Sequence, residues 1–367
     1  MSTAASFRYF GPELALGVAL LLVIFADLAS AGRERRGEWP ATIAMVAAAA
    51  AIVMSVGLPL AGWAGLSETA KPTWLFDRML VLDQFAIFFK VLLALSLLAV
   101  ITMSLASREI ANGGNQGEYY TMLLGSTLGM FLMAGAANLL MAYLSLEFVS
   151  LSAYVLTGFL RRDRRASEAA LKYLIYGGVA SGAMIYGMSW IYGLAGSMDY
   201  GQIAGALAKL APQSRLALFT ALILVLVGFG YKVAMVPFHM WAPDVYTGAP
   251  LPVTTFLAVA SKAAGFAMLL RFFDFGVGDT GPSATLGGLP LVQLIAALSA
   301  FTMLIGNLGA LSQTNVKRLL AYSSIAHAGY ALMGVAVFAS EGVAAVLLYL
   351  VVYYLMNLGA LDRKSVV

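Results

Sequence analysis

Cysteine is absent from this chain of 367 residues, and histidine occurs only twice. The lack of cysteine excludes disulfides, thiolate-ligated metal centres, iron–sulfur clusters and cysteine nucleophiles. Charge is also scarce, at 11% of residues, where an average soluble domain carries about a quarter. Phosphate-cradling glycine loops, metal-ligand spacings and nucleophile elbows do not occur. No small-residue cleavage site follows the first apolar run, so that run reads as a retained span and not as a signal peptide.

What is present is apolar. Hydrophobic residues make up 61% of the chain, and runs of about 18 residues or more, long enough to cross about 30 Å of hydrocarbon, recur along its length. The bilayer is therefore the expected solvent. A formal charge of +4 and a pI near 9.1 do not imply nucleic acid, because Lys and Arg lie in short loops and form no patch with interleaved aromatics.

The hydropathy pattern places about eleven spans, near 13–31, 41–63, 82–106, 119–136, 138–160, 169–195, 214–231, 252–273, 289–311, 319–339 and 342–361. The fold class is thus all-α, a polytopic transmembrane helix bundle. Basic residues follow the odd spans: Arg33, Arg35 and Arg36; Arg108; Arg161, Arg162, Arg164 and Arg165; Lys317 and Arg318. The even loops are neutral or mixed, with Glu68, Lys71, Asp77 and Arg78, then Asp274 and Asp279, then Glu341. Positive residues accumulate on the cytoplasmic side, which puts the N-terminus in the periplasm. Segment 200–213, with Pro212, reads as interfacial. The last six residues, Asp362 to Val367, change composition abruptly and read either as a cytoplasmic tail or, the preferred reading, as a translated sequencing adapter on a longer parent chain.

Ionisable groups deep in a span cost at least about 2.5–3.5 kcal/mol each and invite a functional reading. Glu147 lies mid-span between Leu146 and Phe148, Lys262 lies mid-span in Ala260-Ser261-Lys262-Ala263, and Lys232 closes the seventh apolar run. Snorkelling to the headgroups explains the first two poorly and remains an alternative for Lys232. Glu147 and Lys232 could form a static ion pair. Buried pairs are poor stabilisers, however, which favours a working role. Burial favours a neutral amine and a nearby carboxylate favours a charged one, so moving such a pair apart or together moves a proton.

Pro237, Pro243, Pro250 and Pro252, with Gly248, interrupt the pattern after Lys232, so the seventh helix should be broken. Irregular backbone at membrane depth belongs inside protein or beside a water-filled cavity, where transporters place ion sites. His239 falls in that break, and its chemistry suits proton exchange. His327, among hydroxyl neighbours, divides evenly between carrier and core residue. Lys90 sits one or two turns inside the third span and reads as snorkelling. Asp83 and Asp27 read as caps or interface residues, and Asp244 as a loop contact. The glycines at 177, 178 and 182 read as close helix packing.

The string KVAMVPFHMWAPDVYTGAPLPVTTFLAVASKAAGFAMLLR, residues 232–271, resembles the core of the antiporter-like membrane subunits of respiratory complex I. That family includes multisubunit cation/proton antiporters. It shares a Lys–Pro-Phe-His-x-Trp–Pro-Asp pattern and a second lysine about thirty residues on. The Asp244-Val245-Tyr246-Thr247-Gly248-Ala249-Pro250 run resembles one branch of it, where others show Asp-Ala-His. YLSLEFVSLSAYVLTGF around Glu147 and VKRLLAYSSIAHAGY around His327 extend the likeness over most of residues 80–361.

The resemblance implies a coupled pair, Glu147 and Lys232, with His239 beside it and Lys262 as the central relay; His327 completes the candidate proton path. It implies inverted five-helix repeats and fourteen spans, so this sequence stops short after the eleventh. The chain then divides into an N-terminal three-helix segment (1–110), a first repeat (111–274), the start of a second (285–361) and a tail read as artefactual (362–367). No cofactor is expected in this chain; NADH, FMN, iron–sulfur clusters and quinone belong to other subunits. The expected partners are other membrane subunits of complex I and the lipid bilayer, in a bacterial inner membrane, with no nucleic acid. The implied activity is proton translocation coupled to NADH:quinone oxidoreduction. A Na+(K+)/H+ antiporter subunit and a non-conducting scaffold are the alternatives.

Overall fold

Helix forms wherever the chain supplies about twenty apolar residues, because in lipid only a helix satisfies every backbone donor and acceptor within its own segment. The computed structural model describes residues 3–29, 39–63, 72–111, 115–276, 285–286 and 289–362. A short α1 (Thr3–Phe7) precedes α2 (Gly11–Ala29) and α3 (Trp39–Trp63). A hairpin of β1 (Thr73–Leu75) and β2 (Leu80–Leu82), with Trp74 opposite Val81, leads into α4 (Gln84–Ala106). Then follow α5 (Arg108–Ala111), α6 (Gln116–Gly135), α7 (Leu139–Thr157), α8 (Arg164–Ala195), α9 (Tyr200–Leu207) and α10 (Arg215–Val233). After a break come α11 (Trp241–Gly248) and α12 (Leu251–Phe256), a π-helical turn (Leu257–Ser261) and α13 (Lys262–Gly276). A two-residue hairpin, β3 (Thr285–Leu286) with β4 (Leu289–Pro290), precedes α14 (Leu291–Leu311), α15 (Val316–Val335) and α16 (Ser340–Asp362).

All eleven expected spans are helical. Nine of these segments, among the described residues, are long and apolar enough to cross a membrane. The other two, α6 and α15, are 20 residues each and carry more polar side chains. The expected basic group Arg33, Arg35 and Arg36, and Glu68, Lys71, Asp279 and residues 363–367, lie outside the described residues.

Side-chain caps fix where helices begin. Asp83 accepts from Ala86 N, Asn138 from Met141 N, Asp163 from Arg165 N, Asp199 from Gln202 N and Asn315 from Arg318 N. The core runs through the broken and π-containing segments. The apolar window of Leu251–Phe273 is 100% buried, whereas those of α14 and α16 are 22% buried. Helix α8 packs on α10, α14 on α15, and α11 on both α8 and α15. In the N-terminal part α2, α3, α4 and α6 form a ring, each packed on the next.

Lys90 does not snorkel. Its side chain is 3% exposed and its Nζ lies 2.6 Å from Glu13 Oε1 across the interior of that ring. Distance from a span end measures depth in the bilayer only, whereas a helix bundle buries side chains at any depth.

Candidate functional site

The break after Lys232 is built as the prolines require. α10 ends at Val233, and Ala234 takes a left-handed conformation at φ 59°, its N–H donating to Gly230 O and Tyr231 O. Residues 235–240 form turns before α11 starts at Trp241. The freed Val236 N–H donates to Thr302 Oγ1 of α14 at 3.1 Å, so the irregular backbone is satisfied inside protein. His239 lies in this break, buried, and its Nδ1 has no hydrogen-bond partner among the described residues.

Lys232 is fully buried. Its Nζ donates to Ser150 Oγ of α7 at 3.5 Å. Glu147, one turn before Ser150, acts on Lys232 electrostatically but makes no ion pair with it; its half-buried side chain leaves Oε1 buried and unpartnered. The expected ion pair is therefore not formed in this structure, and a serine hydroxyl stands on the lysine instead. Around it Tyr173 stacks on Trp241 at 4.5 Å and meets Tyr154 edge-on at 4.9 Å, while Trp241 Nε1 donates to Tyr231 O at 2.9 Å.

Of the three glycines read as packing sites, only Gly177 has close neighbours. A Cβ there would collide with the Tyr154 hydroxyl and come within 2.6 Å of the Tyr231 hydroxyl, whereas at Gly178 and Gly182 it would meet nothing within 4 Å. Gly177→Ala is therefore expected to destabilise the protein by about 1–3 kcal/mol through overpacking, and Gly178→Ala to raise the detergent unfolding temperature slightly, alanine being the better helix former by about 0.5–1 kcal/mol. Gly265 of α13 serves the other side of the lysine: its missing Cβ leaves room for Lys232 Cγ, 3.1 Å from where that Cβ would lie. Gly265 is one turn from Lys262, so the stem of Lys232 packs on α13 one turn from Lys262, while the two ammonium groups go to different partners, Ser150 and Ser324.

Lys262 opens α13 directly after the π-turn. Single π-turns are frequent at functional sites, and nothing in the local sequence announced this one. The Lys262 Nζ donates to Ser324 O of α15 at 2.8 Å and to Ser324 Oγ. Tyr353 of α16 also donates to Ser324 Oγ, at 2.7 Å, and the Tyr246 hydroxyl lies 3.4 Å from it. His327, three residues along α15, packs its ring 5.2 Å from that of Tyr353, hydrogen-bonds Tyr349 OH through Nδ1, and lies within electrostatic reach of the Lys262 charge. The structure thus gathers Lys262 and His327 in one hydroxyl-lined cluster and Lys232 with Glu147 in another. His239 donates to neither lysine cluster among the described residues. Ser150, Ser324, Tyr246, Tyr349 and Tyr353 were not singled out from sequence, because a hydroxyl residue in a span is ordinary until its partner is known.

Asp244 does not lie in a loop. It sits in α11 and ties two helices together, pairing with Lys172 of α8 at 2.8 Å and Arg318 of α15 at 2.9 Å.

The sequence model of the family described as NADH:quinone oxidoreductase/Mrp antiporter, TM matches residues 136–361, which contain all five candidate residues. NADH-quinone oxidoreductase subunit N 2 of Sorangium cellulosum is 46% identical, with 98% of this chain and 71% of that relative covered. The chain belongs to this family. A second member, NADH-quinone oxidoreductase subunit N of an Anaeromyxobacter species, is 44% identical over 96% of this chain and 68% of its own length. Among solved structures, respiratory complex I from Thermus thermophilus contains a chain that matches with a TM-score of 0.76 at 31% identity, covering 96% of this chain and 70% of that one. The Mrp complex from a Dietzia species matches with TM-score 0.76 at 21% identity, covering 96% of this chain and 63% of that one, which shows a shared fold. As a family member the chain is a multi-pass membrane subunit of antiporter-like fold, and it spans about seven tenths of its relatives' length.

Proposed function

We propose that this chain conducts protons as a membrane subunit of an NADH:quinone oxidoreductase in a bacterial inner membrane. The observation that carries the reading is the placement of two fully buried lysines, one at a helix break and one at a π-turn, each held by a serine hydroxyl. A permanently charged structural pair has no need of two such sites, because an ammonium in hydrocarbon is costly unless it can release its proton. Redox energy would come from partner subunits, which hold NADH, FMN, iron–sulfur clusters and quinone; this chain contributes the path.

In that path Glu147 closes on Lys232 or withdraws from it, and the two arrangements need differ by only a few kcal/mol to act as a switch. With Glu147 withdrawn, Lys232 gives its proton toward Lys262. Lys262 passes one toward Ser324 Oγ and the Tyr353 hydroxyl bonded to it, beside His327, whose Nδ1 is hydrogen-bonded to Tyr349. His239, with its free Nδ1, exchanges protons in the break. Residues 111–274 would form a first repeat and the segment from 285 would begin a second, with the N-terminus facing the periplasm.

Inverted vesicles from cells carrying the complex test this. NADH-driven proton uptake is expected, and it should persist when Na+ and K+ are replaced by choline. Uptake that requires Na+ or K+ and proceeds without NADH would instead assign cation/proton antiport. Uptake unaltered by Lys232→Met and Lys262→Met would leave only a scaffold.

A further inference from the structure

Glu13 and Lys90 have no part in the relay above. They also lie outside residues 136–361, which the family model matches. Their ion pair, at 2.6 Å with side chains 2% and 3% exposed, is the most deeply buried carboxylate–lysine contact among the described residues. It lies within a ring. Helix α2 packs on α3 and α6, α4 packs on α3 and α6, and α3 also touches α6, so the Glu13–Lys90 contact joins two helices on opposite sides of the α3–α6 seam.

The ring is otherwise nearly free of charge. Lys90 is the only ionisable residue in α4, α3 has none, and the remaining ones in α2 and α6 are Asp27, in the last turn of α2, and Glu118, Tyr119 and Tyr120, in the first turns of α6. Beyond the ring, Arg8 follows α1, and Asp77, Arg78 and Asp83 belong to the β1–β2 hairpin and the cap of α4.

The pair is incompletely satisfied. Glu13 Oε2 is buried and has no hydrogen-bond partner among the described residues. A clamp kept for rigidity would use both oxygens, since a buried acceptor left unmade is penalised most where the surroundings are least polar. A proton on Oε2 removes the negative charge, which is the costlier part of burying an unpaired carboxylate oxygen. Glu147 likewise keeps one buried, unpartnered oxygen, although it makes no ion pair with Lys232.

We propose that Glu13 and Lys90 form a second proton-exchange pair, seated in the N-terminal helices. In its closed state the pair is carboxylate and ammonium. On opening, Glu13 takes one proton at Oε2 and Lys90 releases one from Nζ, leaving acid and amine; the pair's net charge is zero before and after, and one proton has crossed it. Helix α4 connects this event to the main path, because it also packs on α12 and on the π-turn that precedes Lys262. The inference rests on the proton-conducting reading given above.

The test uses the intact complex in inverted vesicles, measuring proton uptake and NADH oxidation together for wild type, Glu13→Gln and the apolar double variant Glu13→Leu/Lys90→Met. A static pair can be replaced by apolar residues without loss. The expected result is a partial loss of protons moved per NADH in both variants, with NADH oxidation retained. A wild-type ratio in the double variant overturns the proposal and leaves a structural clamp. In parallel, infrared difference spectra on a pH step are expected to show a carboxyl band that vanishes in Glu13→Gln and shifts in Glu13→Asp; a band unchanged by both also overturns it. If wild type itself takes up no protons with NADH, the broader reading fails, and the infrared band still decides the fate of Glu13.

Discussion

Exchanging Lys262 for methionine is expected to abolish NADH-driven proton uptake, lowering its rate by about a hundredfold or more, the scale at which a positioned proton-transfer group contributes. Methionine matches the length and flexibility of the lysine stem, so the packing of α13 survives. What goes is the Nζ that donates to Ser324 O and Oγ. Leaving the Ser324 carbonyl without that donor costs about 1–3 kcal/mol, partly offset because no charge need then be buried, so the variant should assemble. Lys262→Arg separates charge from proton transfer. A guanidinium stays protonated, so an arginine restores uptake if a fixed positive charge suffices and fails to restore it if the group must let its proton go. Failure is the expected result.

Asp83→Ala should be the most destabilising single change outside the relay, by about 3–5 kcal/mol, read as a fall in the detergent unfolding temperature. Arg271 of α13 is 1% exposed and reaches both Asp83 oxygens, at 2.5 and 2.6 Å, while its Nε donates to Ala134 O at 3.0 Å and its guanidinium lies 4.6 Å above the Phe85 ring. One side chain thus fastens the end of the central helix to the start of α4 and the end of α6. Removing the carboxylate deprives a buried cation of its counter-charge and takes the N-cap of α4 with it, worth about 1 kcal/mol more. Asp83→Asn keeps a cap acceptor and should lose less, and removing Arg271 together with Asp83 should recover part of the loss.

Hydropathy located every long helix because in lipid the length and apolarity of a segment decide its structure. The break at 234–240 was legible for a related reason: Pro237 and Pro243 remove donors that a continuous helix requires. The lysines were legible as anomalies, being charges where charge is expensive. What sequence did not yield is who meets them. Ser324 touches Lys262 across 62 positions, and Ser150 meets Lys232 across 82; no periodicity within one helix carries that information. Lys90 was misread for the same reason, since Glu13 lies far away in the chain and the ring that brings them together involves four helices. Asp244 read as a loop contact because the prolines around it obscured α11.

The π-turn at Leu257–Ser261 has a geometric meaning beyond marking a site. Each residue of an α-helix advances the side-chain direction by about 100°, and a π-turn accommodates one extra residue within a single turn. Lys262 follows it immediately, so the bearing of its ammonium around the helix axis is fixed by that surplus residue. A regular helix over the same stretch would aim the lysine about a quarter-turn elsewhere, away from α15, with hydropathy and composition unaltered. Whether this helix faces its hydroxyl partners is thus a matter of angular phase, set by one residue in the counting.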